Sequence, residues 1–599
     1  MQQQELIPME LEFPPNPTRD PKINTHKPPS NSQRHPKIKS LRRIHRQWED
    51  ITALRARKHR TSNLQAQDAD PQNQNQSSWY WHDSPPVHRK VRFLKPLPKI
   101  FNLQHQLSQP YTSFPQLLTL MMRCLPLISA LNLDFSHFWG CSRRFKRALL
   151  KILSSFKSRV RFDLLLGDTD KPATKLRYLR QLRGFQDLSL SLTSSSVLLK
   201  KSIIPSCLER LIKLRELNLT VYYLKDEGDE FIMDLALTLS KFSRLEKFHL
   251  KIPNTKVLQS SLIMLFQRFS TLKRLFDLSL NFSGCTMDPD NPDNESFAEY
   301  FDHCMITKFS LALFKNLNDH YLNHFLQILK NLTPLETLNF TLHWSDKMIN
   351  GCLEAFSAIL SAQRFLSSLR LEIFHVPKNN NIVKIIASAL KHLQTLTYLE
   401  LKFRNTHSDE TQLQQLFFNL GHLKYLKCLC IWTGWNVEIT NNSLETLGQS
   451  LQELDSLQSL SLKLYSYSAT DQGGVVLASR IRHLSALKYL TLNFFETPSL
   501  TEKTLSELAQ SLKILVHLRS VDFYFYQSAK MKNFEKLFKT LKGMKDLNQV
   551  RLWLPHCDQM IDHLDKEKSI DTRSAWPNEN TPQATWGHSL DYQAQYWTD

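Results

Sequence analysis

Apolar residues alternate with other residues in short segments that recur along most of the chain. The pattern is L-x-x-L-x-L-x-L, as in Leu487-Lys-Tyr-Leu490-Thr-Leu492-Asn-Phe494. Its first apolar residue falls at 185, 214, 245, 275, 306, 335, 366, 396, 426, 457, 487, 518 and 547, so that the spacing is always 29 to 31 residues. Of the 39 residues at the three alternating positions that follow, 38 are apolar and only Thr433 is not. Weaker copies at 128–135 and 160–164 bring the total to about 15 units.

Each unit is predicted to contain one strand and one helix. Alternation with a period of two indicates a strand with one buried face. Between strands the apolar spacing changes to three and four, as at Leu505, Leu508, Leu512 and Leu515, which is typical of an amphipathic helix. A single unit of about 30 residues buries too little apolar surface to offset its loss of conformational entropy. The units should therefore stack into an α/β solenoid with a continuous core.

The segment from about 120 to 556 resembles leucine-rich-repeat proteins of the ribonuclease-inhibitor-like class. This resemblance implies a horseshoe of about 15 strand-helix units with parallel strands on the concave face, and it implies partner binding as the usual role. The chain departs from the family in one respect. Where the family usually places an asparagine after the strand, this chain continues with apolar residues such as Leu342, Ile373 and Leu464. Longer strands are therefore expected.

Composition divides the chain into three regions. Residues 1–100 contribute +9 to the net charge of +20, residues 101–560 contribute +15, and residues 561–599 contribute −4. The first region is expected to be largely disordered, the second to form the solenoid, and the third to be an acidic tail that contains aromatic residues.

A basic amphipathic helix is predicted at 37–59. Its basic residues are Arg42, Arg43, Arg46, Arg55, Arg57 and Lys58. Four interpretations remain open: docking to an acidic partner, nuclear import, contact with nucleic acid or a membrane surface, or an N-terminal cap on the first repeat.

The sequence gives little indication of catalytic chemistry. The 13 glycines never have the spacing of a phosphate-binding or dinucleotide-binding loop, and no zinc-protease or serine-hydrolase motif occurs. The nine cysteines are scattered and form no metal-ligand spacing. We expect no enzymatic activity, no cofactor and no metal site. No secretory signal or transmembrane segment is visible either, so an intracellular location in the cytoplasm or nucleus is expected.

Aromatic residues are enriched among the side chains predicted to project from the concave face. Eleven of 52 such positions are aromatic, whereas a frequency of 10% gives about five. The candidate partner-binding residues are Phe374, Tyr398, Trp432, Tyr465, Tyr489, Phe495, Tyr524, Tyr526 and Trp553. They either anchor a partner or pack on one another to stabilise the sheet. Eight basic and six acidic residues share these positions, which favours a protein or peptide ligand over nucleic acid there.

Three functions follow from these observations. The first is a non-catalytic scaffold or adaptor that binds a protein on the concave face. The second is a basic ribonucleoprotein or nucleic-acid-associated protein that uses the N-terminal helix and the outer surface. The third, by family analogy, is a substrate receptor of a ubiquitin ligase or a GTPase regulator. The oligomeric state is left open.

Overall fold

The computed structural model describes the repeat region and three earlier strands. The described residues are 100–102, 130–134, 161–166, 186–192, 205, 208–553 and 569–571, with gaps at 223, 225–226, 289–296, 314–316, 344–350, 378–379, 435–436, 467, 496, 498 and 526–533. The chain divides into two units, Met1–Leu94 and Lys95–Asp599, and all described residues lie in the second. The predicted basic helix at 37–59 lies outside the described residues.

In the described part of the chain, seventeen parallel strands form one open sheet, in which each strand pairs with the sheet strands before and after it. These strands are β1 (Ile100–Asn102), β2 (Ala130–Asp134), β3 (Arg161–Leu166), β4 (Asp187–Leu192), β5 (Glu216–Val221), β6 (Lys247–Lys251), β8 (Asp277–Asn281), β10 (Lys308–Ala312), β11 (Thr337–His343), β12 (Ser368–Phe374), β13 (Tyr398–Arg404), β14 (Cys428–Thr433), β15 (Ser459–Tyr465), β16 (Tyr489–Phe495), β17 (Ser520–Tyr524), β18 (Gln549–Trp553) and β19 (Ser569–Asp571). A separate two-stranded sheet joins β7 (Lys256–Leu258) to β9 (Thr286–Asp288).

Ten α-helices lie between strands in the described part of the chain. They are α1 (Gly228–Leu239), α2 (Gln259–Thr271), α3 (Asp319–Asn331), α4 (Gly351–Ala362), α5 (Ile382–Leu390), α6 (Glu410–Leu420), α7 (Asn441–Gln452), α8 (Asp471–Ile481), α9 (Glu502–Ile514) and α10 (Glu535–Gly543). The helical spacing found in the sequence is confirmed, since Leu505, Leu508 and Leu512 of α9 are all buried. The predicted α/β repeat solenoid is therefore the observed fold.

One apolar ladder runs through the sheet at the same position of every repeat. Its members from β4 to β18 are Leu188, Leu217, Phe248, Leu278, Phe309, Leu338, Leu369, Leu399, Leu429, Leu460, Leu490, Val521 and Val550. None of these side chains is more than 1% exposed. A shift of one residue would turn the apolar set of a strand to the opposite face, so burial fixes the register.

The strands also test the finer sequence predictions. The weaker motif copies at 128–135 and 160–164 are confirmed as β2 and β3. The apolar residues that replace the family's asparagine, Leu342, Ile373 and Leu464, lie inside seven-residue strands and are buried. Two short strands, β1 and β19, have no visible repeat motif in the sequence.

A phenylalanine cluster fills the core where one repeat has a short 3₁₀ helix, Phe297–Phe301, as its helical segment. The ring of Phe266 from α2 lies at its centre. Its centroid is 5.2 Å from that of Phe297, 5.6 Å from that of Phe301 and 6.4 Å from that of Phe325, each in an edge-to-face arrangement. Such contacts add to the burial of apolar area. Large rings thus occupy the volume that aliphatic side chains from a full helix fill elsewhere.

Helix N-termini in the C-terminal repeats are joined by side-chain hydrogen bonds. Thr440, Thr470 and Thr501 each cap their own helix. The Asp471 carboxylate in turn accepts hydrogen bonds from the Thr501 amide, at 2.7 Å, and from the Thr501 hydroxyl. Although partial burial opposes it, these bonds and those from Thr504 lower the pKa of Asp471. Adjacent helices are therefore linked at the ends where their backbone N–H groups lack intrahelical partners.

Gly434 lets the chain leave β14 close to the backbone of β13. A Cβ atom at this position would lie 2.6 Å from the Phe403 carbonyl oxygen and 2.9 Å from the Asn405 nitrogen. Both contacts involve backbone, so a side chain there would force the strands apart. On the other side of β14, the β14–β15 ladder stops one residue before β14 ends.

Thr433, the one polar residue in the apolar pattern, supplies hydrogen bonds to backbone groups of β15 where the β14–β15 ladder stops. Its side chain is fully buried. The hydroxyl oxygen accepts a hydrogen bond from the Tyr465 amide at 3.2 Å, and the hydroxyl lies 3.5 Å from the Lys463 carbonyl oxygen. The exception in the sequence therefore has a structural cause.

Replacement of Thr433 with valine should lower the free energy of unfolding by about 1–3 kcal/mol, because the Tyr465 amide loses its acceptor inside the protein. Thr433→Ser keeps the hydroxyl and should lose less stability. Urea unfolding of the two variants checks this expectation. A valine variant as stable as the parent chain would contradict it.

Candidate surface for partner binding

The candidate site lies on the sheet face that carries the side chains between the ladder residues, which we call the polar face. Along β11 these side chains are half-buried and alternate with fully buried ones. From β13 to β17 the alternation weakens because several of the intervening side chains are buried as well. These are Glu400, Lys402, Cys430, Ser459, Ser461, Asn493, Ser520 and Asp522. This part of the polar face is therefore covered by its own larger side chains.

Charged and aromatic side chains from β12 to β15 form a connected group, which we call the central cluster. Its members are Arg370, Glu372, Phe374, Tyr398, Glu400, Lys402, Arg404, Trp432 and Lys463. The strand register brings them together, since Arg370 pairs with Glu400 and Glu372 pairs with Lys402 across β12 and β13. Residues about 30 positions apart in the sequence thus become neighbours.

Glu400 is the most buried charged group of the central cluster, with 2% of its surface exposed. Its carboxylate lies 2.6 Å from the Lys402 ammonium and 3.4 Å from the Arg370 guanidinium. The Tyr398 hydroxyl donates a hydrogen bond to it at 2.7 Å. Burial alone would raise the pKa of Glu400, but the two cations and the hydrogen bonds outweigh it and lower that pKa. Glu400 is therefore ionised at neutral pH.

The Arg404 guanidinium is held between two aromatic rings. Its central carbon lies 4.2 Å from the ring centroid of Trp432 and 5.3 Å from that of Phe374. The Nε atom is 2.8 Å from the Glu372 carboxylate. The ammonium of Lys463 approaches the same Trp432 ring at 5.2 Å. Cation–π contacts and an ion pair thus fix the orientation of the indole ring.

The central cluster has more cationic than anionic side chains. Four cationic residues, Arg370, Lys402, Arg404 and Lys463, accompany Glu372 and Glu400. Burial lowers the pKa of Lys463, and the nearby charges of Lys402 and Arg404 act in the same direction. Burial and the negative charge of Glu400 raise the pKa of Tyr398 well above its usual range. The tyrosine is therefore a neutral donor.

Further ion pairs flank the central cluster. Asp522 is 2.9 Å from Arg551, although burial raises its pKa. Near the other end of the polar face, Lys247 lies 3.7 Å from Glu216. These pairs show that the acidic side chains of the polar face contact cationic neighbours on adjacent strands.

The predicted binding residues differ in how far their side chains belong to the described part of the polar face. Six of them have half-buried side chains on the polar face: Phe374, Tyr398, Trp432, Tyr465, Tyr489 and Tyr524. Phe495 and Trp553 end β16 and β18, but their side chains are outside the described part, as is Tyr526. Only the first three belong to the central cluster. The sequence analysis did not predict which charged side chains pair with one another beside these three rings. A comparison of equivalent positions in successive repeats could have found those ion pairs.

Within the described residues, no group of three His, Cys, Asp or Glu side chains is placed to hold a metal ion. Cys428 and Cys430 of β14 are free, and burial raises their pKa values to about 12 and about 11. Their thiols are therefore protonated at neutral pH. None of the described helices has the length and apolarity needed to cross a lipid bilayer.

These features define a repeating strand-helix α/β protein with parallel strands, the arrangement found in leucine-rich repeats. No known protein family and no curated protein matches the chain. Among solved structures, it is similar to a chain in the crystal structure of the Rad7 and Elc1 complex in yeast. The sequences are 13% identical, the match covers 77% of this chain and 93% of that chain, and the TM-score is 0.35.

Proposed function

We propose that this chain is a non-catalytic scaffold or adaptor of the ribonuclease-inhibitor-like class, which binds a protein partner on the polar face from β12 to β17. The observation that carries the proposal is the row of half-buried aromatic rings on adjacent strands, held among paired charges. Aromatic and arginine side chains are enriched at the energetic centres of protein interfaces.

The packing of these rings supports binding as well as stability. A side chain that is already fixed in the free protein loses little conformational entropy when a partner covers it. Trp432 meets this condition, because Arg404 and Lys463 both contact its ring. The sheet thus offers a rigid surface with large apolar groups and compensated charges, which fits a folded protein or a peptide.

The proposal is tested by site-specific photo-crosslinking in cells. A photoreactive amino acid replaces Thr491 on the polar face in one chain and exposed Glu445 on α7 in another. We expect a partner to be captured from position 491 and not from position 445.

Substitutions on the polar face should then weaken that capture. Loss of a hot-spot aromatic costs about 2 kcal/mol or more of binding free energy, so Tyr465→Ala and Tyr489→Ala should each reduce the cross-linked species. Phe418 and Tyr425 are exposed aromatic residues outside the sheet, and their alanine variants are the matched controls. The same captured proteins from both positions, or equal capture by all variants with the fold intact, would contradict the proposal.

A further inference from the structure

A groove of about 880 Å³ separates the last two described helices, α9 and α10. Four lysines line it: Lys513 from α9, Lys536 and Lys539 from α10, and Lys545 from the turn that follows. All four side chains are exposed. The single acidic residue of the lining is Asp546. The groove therefore carries a local charge of +3.

Within the described residues, the lysines of this groove lack the ion pairs that Arg370, Lys402 and Arg404 form on the polar face. Among the described residues, none forms an ion pair or a hydrogen bond with the ammonium groups of Lys513, Lys536, Lys539 or Lys545. Several like charges around one concavity create a positive potential that attracts anionic groups. Carboxylates placed there would remove the mutual repulsion of the lysines.

The groove also offers apolar surface. Val516, which lines it, is 64% exposed, and Ala509, another lining residue, is buried. Met544 is half-buried and lines the same groove. Methionine adapts its shape to irregular partners and makes favourable contacts with aromatic rings. No aromatic residue that could stack on a nucleic-acid base is among the residues that line the groove. An occupant with both carboxylates and aromatic rings fits this surface best.

We infer that residues 572–599 of this chain dock in the groove between α9 and α10. That segment has three acidic residues, Glu579, Asp591 and Asp599, against one basic residue, Arg573. It also has five large aromatic residues, Trp576, Trp586, Tyr592, Tyr596 and Trp597. Its carboxylates pair with the lysines, and its rings cover Val516 and Met544.

The segment begins close enough to reach the groove. It follows β19, which pairs with β18, and β18 directly follows α10 in the chain. Neighbouring strands lie about 5 Å apart, and ten extended residues span about 33 Å. Because the segment belongs to the same chain, its effective concentration at the groove is in the millimolar range even without strong contacts.

Zero-length carbodiimide cross-linking of the full chain, read by mass spectrometry, tests this inference. We expect links from Lys536 or Lys539 to Glu579, Asp591 or Asp599, and their yield should fall between about 0.1 M and about 1 M salt because screening shortens the range of the attraction. The double variant Lys536→Glu/Lys539→Glu should lose links from Lys513 and Lys545 as well. The matched control, Lys384→Glu/Lys391→Glu on and beside α5, should keep all of them.

Exchanging the charges of the groove and the tail is the decisive experiment. Adding Glu579→Lys and Asp591→Lys to the groove variant should restore links with reversed polarity between positions 536 or 539 and the tail. Absence of links, or equal yields in groove and control variants, would overturn the inference. Links found only between differently labelled copies would assign the groove to a second molecule, and competition by a single-stranded RNA oligonucleotide would assign it to nucleic acid. The polar face takes no part in these measurements, so their failure leaves the proposed function unaffected.

Discussion

Replacement of Glu400 with glutamine is expected to lower the free energy of unfolding by about 3–5 kcal/mol, because it leaves the buried Lys402 ammonium and the half-buried Arg370 guanidinium without their counter-charge. Lys402 and Arg370 both pair with this carboxylate, and Lys402 is itself buried. Protection of amide hydrogens in β12 to β14 against exchange measures the effect locally, and urea unfolding measures it overall.

Two comparisons separate this electrostatic effect from general damage to the fold. Lys424 and Glu453 form an ion pair of similar length, 2.7 Å, on the surface, and Glu453→Gln should change stability far less. Adding Lys402→Met to Glu400→Gln removes both charges of the shorter of the two ion pairs of Glu400 and should return much of the lost stability. Equal effects of the substitutions at 400 and 453 would contradict the interpretation.

The effect of Glu400 should also depend on pH. Its pKa in the folded protein lies below the ordinary value of 4.5, so its stabilising contribution is complete above that pH and is lost as the pH falls through the folded pKa. The stability difference between the parent chain and Glu400→Gln should therefore shrink in acid. A difference that stays constant from neutral pH down to strongly acidic pH would rule out an ionised carboxylate as its source.

Truncation of Phe266 to alanine is expected to cost about 3–5 kcal/mol of unfolding free energy, since it leaves a cavity at the centre of the phenylalanine cluster. Phe297, Phe301 and Phe325 all have rings within 6.4 Å of its ring centroid. The short 3₁₀ helix is expected to collapse little into the space, because its own rings already pack against β10 and α3.

Phe418 on α6 is the matched control, since 62% of its surface is exposed. Phe418→Ala should alter stability by no more than about 0.5 kcal/mol. Urea unfolding of both variants, with hydrogen exchange in α2 and β10, provides the measurement. Similar losses at positions 266 and 418 would show that the cluster does not carry the stability assigned to it.

The repeat architecture is predictable because local patterns and tertiary packing require the same periodicities. A strand with one buried face needs alternation, and a helix against the same core needs spacings of three and four. The unbroken ladder from Leu188 to Val550 follows from these two requirements. The short strand β19 escapes prediction because three residues without an apolar repeat carry too little pattern.

The central cluster was only partly predictable. The sequence predicts that Phe374, Tyr398 and Trp432 project from one face of the sheet, and in the structure their side chains are half-buried there. From the sequence we obtain only the net charge of that face. The stability and the pKa values of its charged groups depend on which side chains are in contact. Arg404 between two rings and Glu400 beneath its cations arise from strand register and side-chain reach, which are long-range properties.

The N-terminal basic residues Arg42, Arg43, Arg46, Arg55, Arg57 and Lys58 remain predictions, because they lie outside the described residues. Docking to an acidic partner, nuclear import, contact with nucleic acid or a membrane surface, and capping of the first repeat all stay open for them. The expected intracellular location and the expected lack of catalytic activity likewise stay predictions.

The constant register of the ladder has a consequence for how such a chain can change its size. Deleting the chain between Leu399 and Leu429 would remove one whole repeat unit. The two residues occupy the same register position in β13 and β14, so the joined strand would still pair with β12 and β15 in register. Gain or loss of about thirty residues by gene duplication or deletion thus preserves the architecture, whereas an insertion of a few residues within a strand does not. Growth in complete modules is the evolutionary route that this geometry leaves open.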